Sequence, residues 1–190
     1  MHGFMNRYKN SSTFNEWRKE HSFDEIVNGQ HTKVIDIKAA EYLLLKVKHI
    51  LDTNNVPFLL VFGTLLGVYR DKKFIEWDRD IDIALLKEQK EKVMKLVEDG
   101  VFAFYRIQLI RDVGYLYSLA YKSEYIDFHF FTKKDHKNVT GGVDEHVIKK
   151  EQIENPNSKI MFLGNEFDTV FSIEQYLVDQ YGETWKTPIR

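Results

Sequence analysis

Apolar residues at Ala40, Leu43, Leu44, Val47, Ile50 and Leu51 recur at helical spacing and predict a helix over Ile37 to Leu51. Asp36 stands before it as an N-cap, and Asn54-Asn55 followed by Pro57 ends it. Phe58 to Phe62 is a short continuous apolar run, the pattern of a strand buried on both faces. Gly63-Thr64 breaks that run, and Thr64 to Arg70 predicts a helical turn or two. A loop over Asp71 to Trp77 leads to a second strand, Asp80 to Leu86. Lys87 to Glu98 is a charged amphipathic helix with Val93, Leu96 and Val97 turned inward. The period then changes. Val101 to Leu109, Tyr115 to Lys122 and Tyr125 to Phe131 are rich in aromatic and branched residues and predict strands. Asp112-Val113-Gly114 and Lys122-Ser123-Glu124 are short enough to be hairpin turns, and Thr132 to Gly142 reads as a loop. A hairpin is expected around Phe162 to Phe167. A last helix over Ser172 to Tyr181 follows, where Ser172 and Gln175 have capping-box spacing.

Residues 1–33 are polar and irregular, which suggests an arm with one short helix around Phe14 to Glu20. The expected organisation is therefore an N-terminal arm, 1–35, and a single domain, 36–190. Its order of elements predicts an α+β fold, one mixed sheet with helices packed on it. Composition narrows the chemistry. The chain has 190 residues and no cysteine, which excludes disulfides, thiolate metal sites and thiol catalysis by this chain. Any metal would be held by carboxylates or histidines. Lys and Arg number 27 against 29 Asp and Glu, a net charge of -2, so no basic excess is available for a nucleic-acid backbone. No run approaches the ~20 apolar residues of a membrane span. The segment MHGFMNRYKN lacks a signal-peptide apolar core, so the expected location is cytoplasmic.

The strongest chemical signal is Trp77-Asp78-Arg79-Asp80-Ile81-Asp82-Ile83. On a strand, Asp78, Asp80 and Asp82 would share one face while Ile81 and Ile83 enter an apolar layer. Three carboxylates on one face raise one another's pKa, and a cation would relieve them. Hard oxygen ligands favour Mg2+ or Mn2+. A solvated edge strand is the bland alternative. The apolar flanks argue instead for a central strand. A further acid, Asp127, sits in the aromatic run Tyr125 to Phe131, where an unpaired charge is costly. It is expected to join Asp80 and Asp82 at the metal; an ion pair with Arg79 or Lys122 is the alternative. His129 shares its face, as a general base or a hydrogen-bonded structural residue.

The turn Gly63-Thr64 follows a strand and opens a helix. Such a turn offers backbone N–H groups to a phosphate, with the Thr64 hydroxyl and the Arg70 fork as further donors. A metal beside a phosphate-binding turn is the equipment of phosphoryl or nucleotidyl transfer.

These residues resemble a known family. Gly63-Thr64-Leu65-Leu66-Gly67-x-x-Arg70, then Phe74-Ile75-x-Trp77-Asp78-x-Asp80-Ile81-Asp82-Ile83, is similar to the signature of the LicD/fukutin-related family. The closing Tyr181-Gly182-Glu183-Thr184-Trp185-Lys186-Thr187-Pro188 agrees with it, so the resemblance covers roughly residues 36–188. Lys73, Glu76 and Arg79 depart from the common pattern. The resemblance implies a polymerase-β-like nucleotidyltransferase core. It implies transfer of a phospho-alcohol, such as phosphocholine or a polyol phosphate, from a CDP-linked donor onto a cell-surface glycan. Lipopolysaccharide, teichoic acid and capsule are acceptors of that kind, some reached by peripheral contact with a membrane-linked glycan. In this pattern Asp80, Asp82 and Asp127 are the catalytic and metal-binding acids. Gly63, Thr64, Arg70, Asp78 and His129 would bind substrate. Two other readings stand beside it: a nucleotidyltransferase moving an NMP onto a small molecule or protein, and a non-catalytic nucleotide-binding module.

Overall fold

The computed structural model describes residues 34–133, 138–140, 147–154 and 158–188. The predicted arm and its helix around Phe14 to Glu20 lie outside the described residues. Helix α1 (Ile37–Thr53) begins as expected: the Asp36 carboxylate accepts the Ala39 N–H at 3.1 Å. Its predicted stripe, Ala40, Leu43, Leu44, Val47, Ile50 and Leu51, is buried. Strand β1 is shorter than the apolar run suggests, Leu59–Leu60. The chain turns early because helix α2 (Phe62–Asp71) starts at Phe62, whose φ of 48° lies in the left-handed region. That turn is held from a distance. The Phe62 N–H donates to the hydroxyl of the fully buried Tyr176 at 3.1 Å.

Strand β2 (Ile81–Leu86) is followed by a short 3-10 turn, Lys87–Gln89, and helix α3 (Lys90–Glu98), which buries Val93 and Leu96. The strand expected over Val101 to Leu109 is corrected here. Gly100, at φ 77°, starts a short helix α4 (Val101–Phe104), and strand β3 comes only at Gln108–Asp112. Phe102 thereby drives its ring edge-on against Phe128, 6.2 Å between centroids. Strands β4 (Leu116–Tyr121) and β5 (Glu124–Lys133) form the predicted hairpins. The expected loop after Thr132 is in part strand: β5 runs to Lys133, and β6 (Asn138–Thr140) pairs back onto it. β7 (Val147–Lys149), α5 (Lys150–Glu154), the hairpin β8 (Ser158–Phe162) and β9 (Asn165–Thr169), and α6 (Ile173–Tyr181) complete the chain. Ser172 does not cap α6 with its side chain; it sits at φ 56° and makes no such hydrogen bond.

The main sheet runs β3-β4-β5-β2-β1-β9-β8. β2 lies parallel to β5 and antiparallel to β1, and β1 lies parallel to β9, so the sheet is mixed and β2 is internal. Its two faces differ. Ile81, Ile83 and Leu85 of β2 meet Ile126, Phe128 and Phe130 of β5 on one face, all buried. Tyr117, Leu119 and Tyr121 of β4 extend that layer, and Tyr42 of α1 stacks on Tyr121 at 4.3 Å. Each such side chain contributes ~1.5–3 kcal/mol by leaving water. The other face carries Asp82, Asp127, Ser118 and His129.

Candidate active site

Strand register brings the predicted acids together. Asp82 of β2 stands directly across from Asp127 of β5 on the neighbouring parallel strand. Adjacent strands lie ~4.8 Å apart, so the two side chains leave the sheet side by side. Asp80 precedes β2, and Asp78 lies in the turn before it, where its N–H donates to the Ile75 carbonyl at 3.0 Å. Asp78 therefore reaches the site from a turn, not by strand alternation. All four acids line one cleft of about 860 Å³. Burial, then the charges of Asp82, Asp127 and Asp78, holds the Asp80 carboxyl well above the usual carboxylate range. Burial followed by Asp78 and Asp127 does the same to Asp82, against the pull of a hydrogen bond from the Gly63 N–H. Burial raises Asp127 as well, and the Ser118 hydroxyl that donates to its carboxylate opposes the shift.

The glycines of the turn have a specific steric task. A Cβ at Gly63 would collide with the Asp78 carboxylate. A Cβ at Gly67 would stand 2.7 Å from the Lys73 carbonyl oxygen and 3.0 Å from the Ile75 side chain. The two glycines thus let the loop carrying Asp78 and Asp80 lie flat on α2. Gly63 itself lines the cleft, but its N–H is directed at the Asp82 carboxylate. Thr64 is not brought to the cleft. It is 2 % exposed, and its hydroxyl oxygen accepts the Asp82 N–H at 2.8 Å. Thr64 anchors the backbone of the acid strand, in place of the substrate contact the sequence suggests.

Arg70 lines the cleft, but its guanidinium forks onto Asp71 (2.7–3.1 Å) and donates to the Trp185 carbonyl at 3.2 Å. His129 lies 3.0 Å from the Asp82 carboxylate through Nε2. Burial outweighs the attraction of Asp127 and pushes the imidazole down to about 4, so His129 is neutral while Nε2 shares a hydrogen bond with the Asp82 carboxyl. The Phe62 ring packs edge-on against it, 5.2 Å between centroids. Several lining residues carry no signal in a local motif: Arg111 and Tyr115 of the β3–β4 hairpin, and Tyr125. Trp77, 42 % exposed, and Tyr181, 40 % exposed, form aromatic rims, whereas Trp185 is buried against Tyr69.

Among the described residues, no three acidic or histidine side chains converge closely enough, as they stand, to hold one ion between them. The donor chemistry fits a hard divalent cation nonetheless. Asp80, Asp82 and Asp127 offer carboxylate oxygens to one cleft, and each is shifted toward the uncharged acid, a shift that a cation would oppose.

A mixed sheet with acids on adjacent strands, backed by a glycine turn that opens a helix, defines a nucleotidyltransferase-type α+β fold. A family model described as LicD/FKTN/FKRP, nucleotidyltransferase domain, matches residues 55–169, and the chain belongs to that family. Ribitol-5-phosphate transferase FKTN of Macaca fascicularis and that of Homo sapiens are each 25% identical to it over 158 residues, 80% of this chain and 34% of theirs. The chain thus spans about a third of the length of the curated relatives it matches. Among solved structures, the solution structure of the antibiotic-resistance factor ANT(2'')-Ia is similar in fold, with a TM-score of 0.52 at 16% identity, covering 80% of this chain and 75% of that one. Among the described residues, no helix is long and apolar enough to cross a membrane.

Proposed function

We propose that this domain is a metal-dependent transferase that moves a phospho-alcohol from a CDP-linked donor onto a glycan hydroxyl. One observation carries the reading: Asp82 and Asp127 side by side on parallel strands, with Asp80 and Asp78 in the same cleft. Asp80, Asp82 and Asp127 would hold Mg2+ or Mn2+, which supplies charge neutralisation at the donor phosphates. The acceptor hydroxyl oxygen attacks the phosphorus that bears the alcohol, the bridging P–O bond breaks, and CMP leaves with the electron pair. Asp127 accepts the hydroxyl proton. His129, neutral and bonded to Asp82, keeps that carboxylate's orientation. Gly63 leaves room for Asp78 beside the donor, and Arg70 at the cleft wall contributes a cation once a phosphate competes with Asp71. The site would work at a cytoplasmic surface, on a membrane-linked or soluble saccharide.

The relatives' ribitol-5-phosphate transferase names support this reading. The nucleotidyltransferase description of the family domain favours a second one, transfer of an NMP with pyrophosphate released. Incubation with a panel of CDP-alcohols and saccharide acceptors, read by mass spectrometry, separates the two. CMP release with acceptor-dependent mass gain is expected. Pyrophosphate release from a nucleoside triphosphate, with no CMP from any CDP-alcohol, would replace the first reading with the second.

A further inference from the structure

One polar row crosses four strands on the acid face. Asp82 of β2 pairs with Asp127 of β5, Asp127 with Ser118 of β4, and Ser118 with Arg111 of β3. The last pairing depends on an irregularity. Gln108 and Leu109 pair with Ala120 and Leu119 in regular register, and the register shifts before Arg111. Without that bulge Ile110 would oppose Ser118, and Arg111 would point to the apolar face. The extra residue re-aims one cation into the cleft, which Arg111 lines together with its hairpin neighbours Tyr115 and Leu116. Arg111 is half-buried there. The other lining arginine, Arg70, is forked onto Asp71.

We propose that Arg111, set on the cleft face by the β3 bulge, is the anion-binding residue that takes a phosphate of the donor opposite the acids. This rests on the transferase reading and adds to it. A diphosphate brought beside four carboxylates needs a cation besides any metal held by the acids. A guanidinium fork supplies two parallel donors that an ammonium cannot.

The test is calorimetric titration of the full chain with inorganic pyrophosphate in magnesium buffer. R111Q should weaken binding about tenfold or more, and R111K by less, since it keeps charge and loses the fork. A residue that merely balanced the acids would act oppositely on Mg2+: its removal would tighten metal binding and leave pyrophosphate alone. R111Q with pyrophosphate affinity within twofold of wild type, or wild type that binds no pyrophosphate, overturns the assignment. Arg111-dependent pyrophosphate binding without CMP release from any CDP-alcohol would sink the transferase reading and leave Arg111 standing. CMP release at the wild-type rate by R111Q, with pyrophosphate affinity unchanged, would do the reverse.

Discussion

The two faces of strands β2 and β5 are built from alternate residues of the same short segments, and they oppose each other energetically. Ile81, Ile83, Ile126 and Phe128 leave water on one face and stabilise the fold. On the other, Asp82 and Asp127 are equally well buried, at 8 % and 5 % exposure, and each burial favours the uncharged acid. A sheet that needed only stability would place apolar residues on both sides of an internal strand. On the proposed reading the acid face serves what it binds, and the apolar face and distant hydrogen bonds such as Tyr176 to Phe62 hold it in position.

Substitutions that exchange the properties of the two faces test this division. The largest effect is expected from Asp82→Asn, which should reduce transfer by roughly a thousandfold, about 4 kcal/mol of barrier. The metal-free protein should melt no lower than wild type, because one repulsive charge is gone. Ile83→Ala, one position along on the other face, should show the mirror image. Its cavity is expected to cost ~2–5 kcal/mol in denaturant unfolding while turnover per folded molecule stays near wild type. Gly63→Ala should fall between, since its Cβ must displace the Asp78 carboxylate. A loss of ~1–3 kcal/mol from overpacking is expected alongside reduced turnover, and equal stability with full turnover would remove Asp78 from the site. The smallest effect belongs to neither face. Asp36→Ala, losing the cap on Ala39, should cost ~1 kcal/mol in a thermal melt and leave kinetics unchanged.

Local pattern made much of this legible. The period-2 alternation of β2 and β5 was enough to put Asp82, Asp127 and His129 on one face, because a strand has few other ways to arrange them; Asp80 precedes β2 and reaches the same cleft from outside the strand. The α1 stripe and its cap were readable for the same reason. What failed depended on contacts remote in sequence or on broken alternation. Val101 to Phe104 has the composition of a strand, yet Gly100 and the docking of Phe102 on Phe128 make it a helical turn. The Thr64 hydroxyl was expected at a phosphate and is taken by the Asp82 N–H; no local rule reveals an acceptor needed 18 residues away. Arg111 was missed because a bulge, invisible in composition, decides its face.

On the proposed reading the acid face is unstable by itself and is stabilised by a divalent cation. The direct measurement is the melting temperature of wild type and Asp82→Asn as Mg2+ or Mn2+ is titrated in. An ion bound only by the folded state stabilises by RT ln(1 + [L]/Kd), which is ~2.7 kcal/mol at a hundred times Kd. Wild type should start lower and rise by several degrees, and Asp82→Asn should start as high or higher and respond weakly. A wild-type melt that ignores the ion, or an equal rise in both proteins, would contradict the claim.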